Sequence, residues 1–158
     1  MKTASQVVFR VGTEKYGVDI DQAGMIEAGV TGQKLPGMPA CVRAFFELRG
    51  ELIPIVSLRD RFHKPQRPED EIYDFIVSDA CGFKVAYEVD AVEKIIDSIE
   101  EQKNNDTKML IRSENNYMKQ VINSNGLIVL MNLAHILSEE EQKELKDFLK
   151  KSKEDADK

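Results

Sequence analysis

The sequence predicts an all-β protein with minor helices, built from two similar β-rich units. Three observations carry that prediction. Two stretches, YGVDID (residues 16–21) and FKVAYEVD (residues 83–90), alternate apolar and small or polar residues with the period of two expected of strands. Two others, LIPIVSL (residues 52–58) and LIVLMNL (residues 127–133), are nearly continuous apolar runs of strand length. Sliding the chain against itself by about 70 residues lays the first of each kind over the second, so hairpin, polar insert and buried strand occur twice in one order.

The elements follow in sequence. Val7 to Val11 is β-branched and aromatic, and Gly12-Thr13-Glu14-Lys15 has turn composition, so a strand and a tight turn precede YGVDID and complete a hairpin. Asp21 is placed to cap a short helix through Ala28, with Gly24 a weak point inside it. Gly32 to Pro39 holds two glycines and two prolines and reads as an irregular connection. In the strand Leu52 to Leu58, Pro54 lacks a ladder donor and argues for an edge or a bend. His63 to Asp74 is a polar link, Phe75 to Val77 opens another strand, Cys81-Gly82 is a turn, and Phe83, Val85, Tyr87 and Val89 share one face of a second hairpin. Asp97 to Tyr117 is polar apart from Met109-Leu110-Ile111 and reads as a loop or a short helix with a loop. From Ser138 the period changes. Ser138 and Glu141 form a capping box, Leu145, Phe148 and Leu149 make an apolar stripe at helical spacing, and acids lead while lysines trail.

Composition narrows the function. At 158 residues and 42% hydrophobic content the chain has enough apolar surface for a core. Its formal net charge of -6 disfavours a polyanion as partner, and with no tryptophan and scattered aromatics it lacks the basic, aromatic-lined groove of a small-barrel nucleic-acid binder. The two cysteines, Cys41 and Cys81, are far apart and fit a reduced cytoplasmic protein with no disulfide framework. An apolar run long enough to span a membrane is absent from the sequence, so a soluble, cytosolic protein without direct membrane insertion is expected. His63 and His135 lack spaced acid or thiol partners, and no glycine-rich phosphate cradle occurs, so neither a metal, a cofactor nor an enzyme is expected.

VVFRVGTEKYGVDI, LRGELIPIVSLRDRF and YMKQVINSNGLIVLMNLAHILSEEE together resemble the CheW-like chemotaxis coupling (adaptor) proteins, in the same order and at similar separations, as far as about Glu141. The middle motif is the most specific: Leu48, Arg49, Gly50, Ile53, Pro54, Leu58 and Arg59 fit the family pattern. The chain departs from that pattern at Glu47, where the family generally has asparagine, at Ala44, usually glycine, at Ser57, usually aspartate, and at Met25, where many members carry an acid associated with receptor binding.

The resemblance implies two five-stranded Src-homology-3-like β-barrels on a shared core. The CheW-like domain would span residues 1–137, with halves of roughly 6–72 and 73–137, followed by a helix and charged tail over 138–158. It implies a non-enzymatic adaptor joining the cytoplasmic tip of a methyl-accepting chemoreceptor to the regulatory domain of the histidine kinase CheA, at the inner face of the membrane. The alternatives are a coupler of a divergent or non-motility pathway, including a CheV-type coupler without its receiver domain, and, from a different class, the nucleic-acid binder. Arg49, Ile20, Ala23 and Val89 are the expected receptor contacts, the last three lining a groove between the barrels. Leu35, Met38 and Val42, in or beside the irregular loop, are the expected kinase contacts, although such residues also serve to hold a loop down. Arg49 can present its fork of donors to a partner or pair with a nearby acid, while Gly50 permits a positive φ before the strand.

Overall fold

The computed structural model describes residues 5–65, 72–96 and 117–156. The expected helix or loop over 97–117 lies, but for Tyr117, outside them. Ten strands are described: β1 (Gln6–Val11), β2 (Glu14–Asp19), β3 (Met25–Ala28), β4 (Ala44–Leu48), β5 (Glu51–Ser57), β6 (Asp74–Ser78), β7 (Val85–Val89), β8 (Ala91–Ile96), β9 (Met118–Asn123) and β10 (Leu127–Met131). A helical turn α1 (Leu58–Arg61) follows β5, a 3-10 turn (Leu133–His135) follows β10, and the long helix α2 (Glu139–Ala156) comes last. The strands make two five-stranded sheets, ordered β8-β1-β2-β10-β9 and β3-β6-β7-β5-β4. This is the expected fold class, all-β with minor helices, two Src-homology-3-like subdomains on a shared core and a C-terminal helix.

The sequence repeat is real, but its copies are interlaced. Parallel pairing joins β2 to β10 and β7 to β5, the same runs that overlay in sequence. Each sheet therefore takes its hairpin from one repeat and its other three strands from the other: β1 and β2 with β8 to β10, and β6 and β7 with β3 to β5. The two sheets thus do not divide the chain near residue 72, as halves of 6–72 and 73–137 would have it; the second sheet is one continuous stretch from Met25 to Val89, set inside the first. A parallel partner cannot be reached through a tight turn, so each hairpin is completed by a strand from far along the chain.

Burial on both faces follows from this arrangement. Along β1, Val7, Phe9 and Val11 enter a core shared by the two sheets while Val8 faces a smaller cluster with Ile122, Ile128 and Leu130. Along β7, Val85, Tyr87 and Val89 enter the shared core and Ala86 packs with Phe46, Ile53, Ile55 and Phe75 inside the second sheet. On the polar side of YGVDID, Gly17 is covered, since a Cβ there would stand 2.9 Å from Leu130 Cδ2, while Asp19 is partly exposed and Asp21 exposed. Pro54 is not on an edge strand, since β5 lies between β7 and β4, but the β7 ladder begins only at Ile55 and leaves the proline beyond its end.

The expected helix from Asp21 to Ala28 does not form. Ile20–Gln22 is a single 3-10 turn, and Met25–Ala28 is β3, paired antiparallel with β6 from Met25↔Val77 to Ala28↔Asp74. Ala23 closes the turn, its N–H donating to the Ile20 carbonyl, and the tertiary ladder with β6 outweighs the weak local helix signal. The C-terminal helix agrees with expectation: Glu141 N–H donates to Ser138 Oγ at 3.1 Å and Ser138 N–H to Glu141 Oε1 at 2.9 Å. Its stripe docks, with Leu145 fully buried and Phe148 stacked on Phe45 at 5.2 Å.

Candidate partner-binding surface

β4 and β5 are joined by a two-residue turn in which Arg49 has φ +52° and Gly50 φ +82°, with Leu48 and Glu51 paired across it. Two consecutive positive φ values are what a tight hairpin needs to match strand twist, which explains glycine at one position and makes arginine at the other a strained choice. Arg49 is exposed and has no hydrogen bond or ion pair among the described residues. The nearby acid that would have fixed the turn is therefore not seen, and the five donors of the guanidinium face outward. Beside the hairpin lies a groove of about 600 Å³ lined by Gly50, Glu51, Leu52, Phe83, Lys84, Leu149 and Ser152, with an apolar floor and Lys84 paired to Glu51 at 3.3 Å.

The other expected receptor contacts divide. Ile20 is 41% exposed on the 3-10 turn after β2, and Ala23 is half-buried at its end. Val89 is 1% exposed in the shared core, so its side chain does not line a groove. The turn feeds β3, whereas Arg49 sits at the tip of β4, and these strands close opposite ends of the second sheet's order. Arg49 and Ile20 are thus not on neighbouring strands. Ile26 is 44% exposed on β3 and was not singled out from the sequence.

The expected kinase residues are turned inward. Val42 is 4% exposed, and Leu35 and Met38 are half-buried against the shared core. Their apolar character holds the irregular loop down, and α2 closes over it, sharing a cleft at Gly37 and Pro39 with Glu144, Asp147, Phe148 and Lys151.

Among the ion pairs of the described residues, none of them read from the sequence, three hold an arginine within 2.8 Å of its carboxylate. Arg43 Nη2 lies 2.8 Å from Glu88 Oε2, deep against the second sheet. Arg59 grips Asp90 with two bonds of 2.8 and 2.6 Å, and Gly12 N–H donates to the same carboxylate at 2.9 Å. Arg61 grips Glu141 with two bonds of 2.8 Å and donates to the Ile136 carbonyl. Burial raises the Asp90 and Glu141 carboxyls, but the guanidinium and backbone donors outweigh it and hold both below their ordinary values. The charges that close LIPIVSLRDRF thus stitch elements together: Arg59 ties α1 to the hairpins of both repeats, and Arg61 ties it to α2.

Two of the departures from the family pattern, at Ser57 and Ala44, have local explanations. Ser57 Oγ accepts from Asp60 N–H at 3.3 Å and caps α1, as a carboxylate there would. The methyl group of Ala44 is accommodated because residue 32 is glycine: a Cβ on Gly32 would lie 2.7 Å from Ala44 Cβ. Met25 packs against the inner core of the second sheet. Glu47 is exposed on β4, beside the Arg49 turn.

Burial pushes the thiol of Cys41 up to about 11 and raises that of Cys81, so neither is an activated nucleophile. His63 and His135 are exposed, and among the described residues no group of three His, Cys, Asp or Glu side chains could hold a metal. Within the same residues no helix is long and apolar enough to cross a membrane.

Comparison with known proteins fits this geometry. The CheW-like domain model matches residues 5–141. A chemotaxis protein CheW from Treponema pallidum is 30% identical over 94 residues, 57% of this chain and 55% of that protein, so the match spans about half of the relative's length. A chemotaxis protein CheW from Klebsiella aerogenes is 25% identical over 136 residues, 85% of this chain and 82% of that protein. The crystal structure of the scaffolding protein TtCheW from Thermoanaerobacter tengcongensis superposes with a TM-score of 0.73 at 24% identity, covering 86% of this chain and 93% of that one, and shows the same fold. With two interlaced β subdomains and a family match across nearly all of both, the chain belongs to the CheW-like family of chemotaxis adaptor proteins.

Proposed function

We propose that the chain is a non-enzymatic adaptor that couples the cytoplasmic tip of a chemoreceptor to the regulatory domain of the histidine kinase CheA, in arrays at the inner face of the membrane. The observation that carries this reading is Arg49: a long cation without a described partner, held on a strained two-residue turn beside an apolar groove. A surface arginine next to apolar ground is a common anchor in protein interfaces. The buried acids, in contrast, are engaged in structural pairs.

In this reading Arg49 contacts the receptor, as does the turn carrying Ile20 and Ala23, with Val89 supporting it from the core. The loop holding Leu35, Met38 and Val42, together with the face of α2 against it, contacts the kinase. Coupling requires that both partners bias one assembly with two states. The test is calorimetric titration with a kinase regulatory domain and a receptor cytoplasmic fragment. Kinase binding is expected in the micromolar range, about -8 kcal/mol, and receptor binding weaker. Absence of binding to both removes the adaptor reading.

A further inference from the structure

The two repeats close equivalent corners with different chemistry. In each, the segment leaving the hairpin's second strand is tied to the helical turn that follows its parallel partner. After β7 the tie is ionic, from Asp90 to Arg59 on α1. After β2 it is neutral. Gln22 Nε2 donates to Asn132 Oδ1 at 2.6 Å, and Gln22 Oε1 accepts from Leu133 N–H at 2.9 Å.

Asn132 is itself the cap of the 3-10 turn, accepting from Ala134 N–H at 3.0 Å, and Gln142 on α2 donates to the Ala134 carbonyl at 2.9 Å. A single side-chain amide thus fixes the Ile20–Gln22 turn to a second turn 110 residues along the chain. Among the described residues, its other backbone contacts are from Ile20 N–H to the Ser5 carbonyl and from Ala23 N–H to the Ile20 carbonyl. The turn has no buried residue of its own, so packing alone does not fix its orientation.

We propose that Gln22 is a positioning residue, which orients Ile20 and Ala23 for partner contact by locking their turn to Asn132 and Leu133. This rests on the reading above in which that turn meets the receptor. The amide touches no partner; it sets the direction in which Ile20 points. Two bonds from one planar group define both distance and rotation, which a single bond does not.

The experiment is calorimetric titration of the full chain and its variants with the receptor fragment and, separately, the kinase regulatory domain, alongside thermal unfolding. Gln22→Ala should weaken receptor binding about fivefold, the equivalent of one lost hydrogen bond, with kinase binding unchanged within about twofold, a split that general destabilisation would not produce. Gln22→Glu keeps the acceptor for Leu133 N–H but loses the donor to Asn132, and should weaken receptor binding in the same direction. It also serves if the alanine variant does not fold. In an Asn132→Ala background, Gln22→Ala should add little, because its main partner is already gone. Normal receptor binding by both Gln22 variants, while Ile20→Ala weakens it, overturns the positioning role and leaves the adaptor reading standing. Normal binding by Ile20→Ala overturns the docking of this turn, and the role of Gln22 with it.

Discussion

Arg59 and Asp90 face each other through two parallel hydrogen bonds of 2.8 and 2.6 Å, and Asp90 accepts a third from the backbone of Gly12. Three segments distant in sequence meet at this carboxylate: the first hairpin's turn, the helical turn after β5, and the end of β7. The pair is mostly buried, with side-chain exposures of 18% and 8%, so losing one partner strands the other in a poorly solvated place. Arg59→Ala should cost about 3 kcal/mol, read as a shift in the midpoint of urea unfolding. A loss under about 0.5 kcal/mol would show that the pair is a surface bridge of little consequence.

Acid should weaken the fold in a defined window. The Asp90 and Glu141 carboxyls lie below their ordinary values of 3.8 and 4.5 in the folded chain. Groups lowered by folding contribute stability that is complete above those values and is lost as pH falls through the folded ones. Thermal midpoints should therefore hold between about pH 5 and 7 and fall below about pH 4.5. Asp90→Asn should be less stable at neutral pH and show a shallower acid decline. A variant with the same acid slope as the parent would contradict the assignment.

Gly32 and Ala44 form a matched pair. Gly32→Ala would bring its methyl group to 2.7 Å from Ala44 Cβ and 3.0 Å from Ile55 Cδ1, contacts that backbone or core must move to relieve. The expected cost is about 1–3 kcal/mol. Adding Ala44→Gly, which restores the residue usual in the family, should recover a large part of it. Additive losses in the double variant would contradict the pairing.

Stability and binding should part at Arg49. The residue sits at φ +52°, where a side chain costs about 1 kcal/mol relative to glycine. Arg49→Gly should leave the unfolding midpoint equal or slightly higher while weakening receptor binding; Arg49→Ala should weaken binding with the fold intact. Unchanged binding in both variants takes Arg49 out of the interface.

Much of the architecture could be read from the chain because strands buried on two faces leave long apolar runs and because the repeat preserves them. What stayed hidden was the interlacing. Nothing in YGVDID says that its parallel partner is Leu127–Met131 and not the nearer Glu51–Ser57. β8 and β9 were missed for a related reason: Glu93 and Lys94 are exposed, as is Lys119, so these sheet-edge strands carry too few buried residues to show a period. Asp21 mimicked a helix cap, but it lies inside the 3-10 turn, whose N-cap is Asp19 with no side-chain bond, so the capping signal there was a false one. Of the candidate site, the turn built by Arg49 and Gly50 was legible, because an Arg-Gly pair before a strand signals a tight turn. Val89 and Val42 were not, since an apolar residue at a strand end reads alike whether it lines a groove or fills a core.

The adaptor account requires that one chain hold two partners together. The most direct measurement is titration of a receptor cytoplasmic fragment into the chain already saturated with the kinase regulatory domain, followed by sizing of the product. A ternary complex with one copy of each, its receptor affinity within about tenfold of that of the free chain, a coupling under about 1.4 kcal/mol, is the predicted result. Displacement of the kinase domain by the receptor fragment, or a receptor fragment that binds neither the free nor the kinase-bound chain, would contradict it.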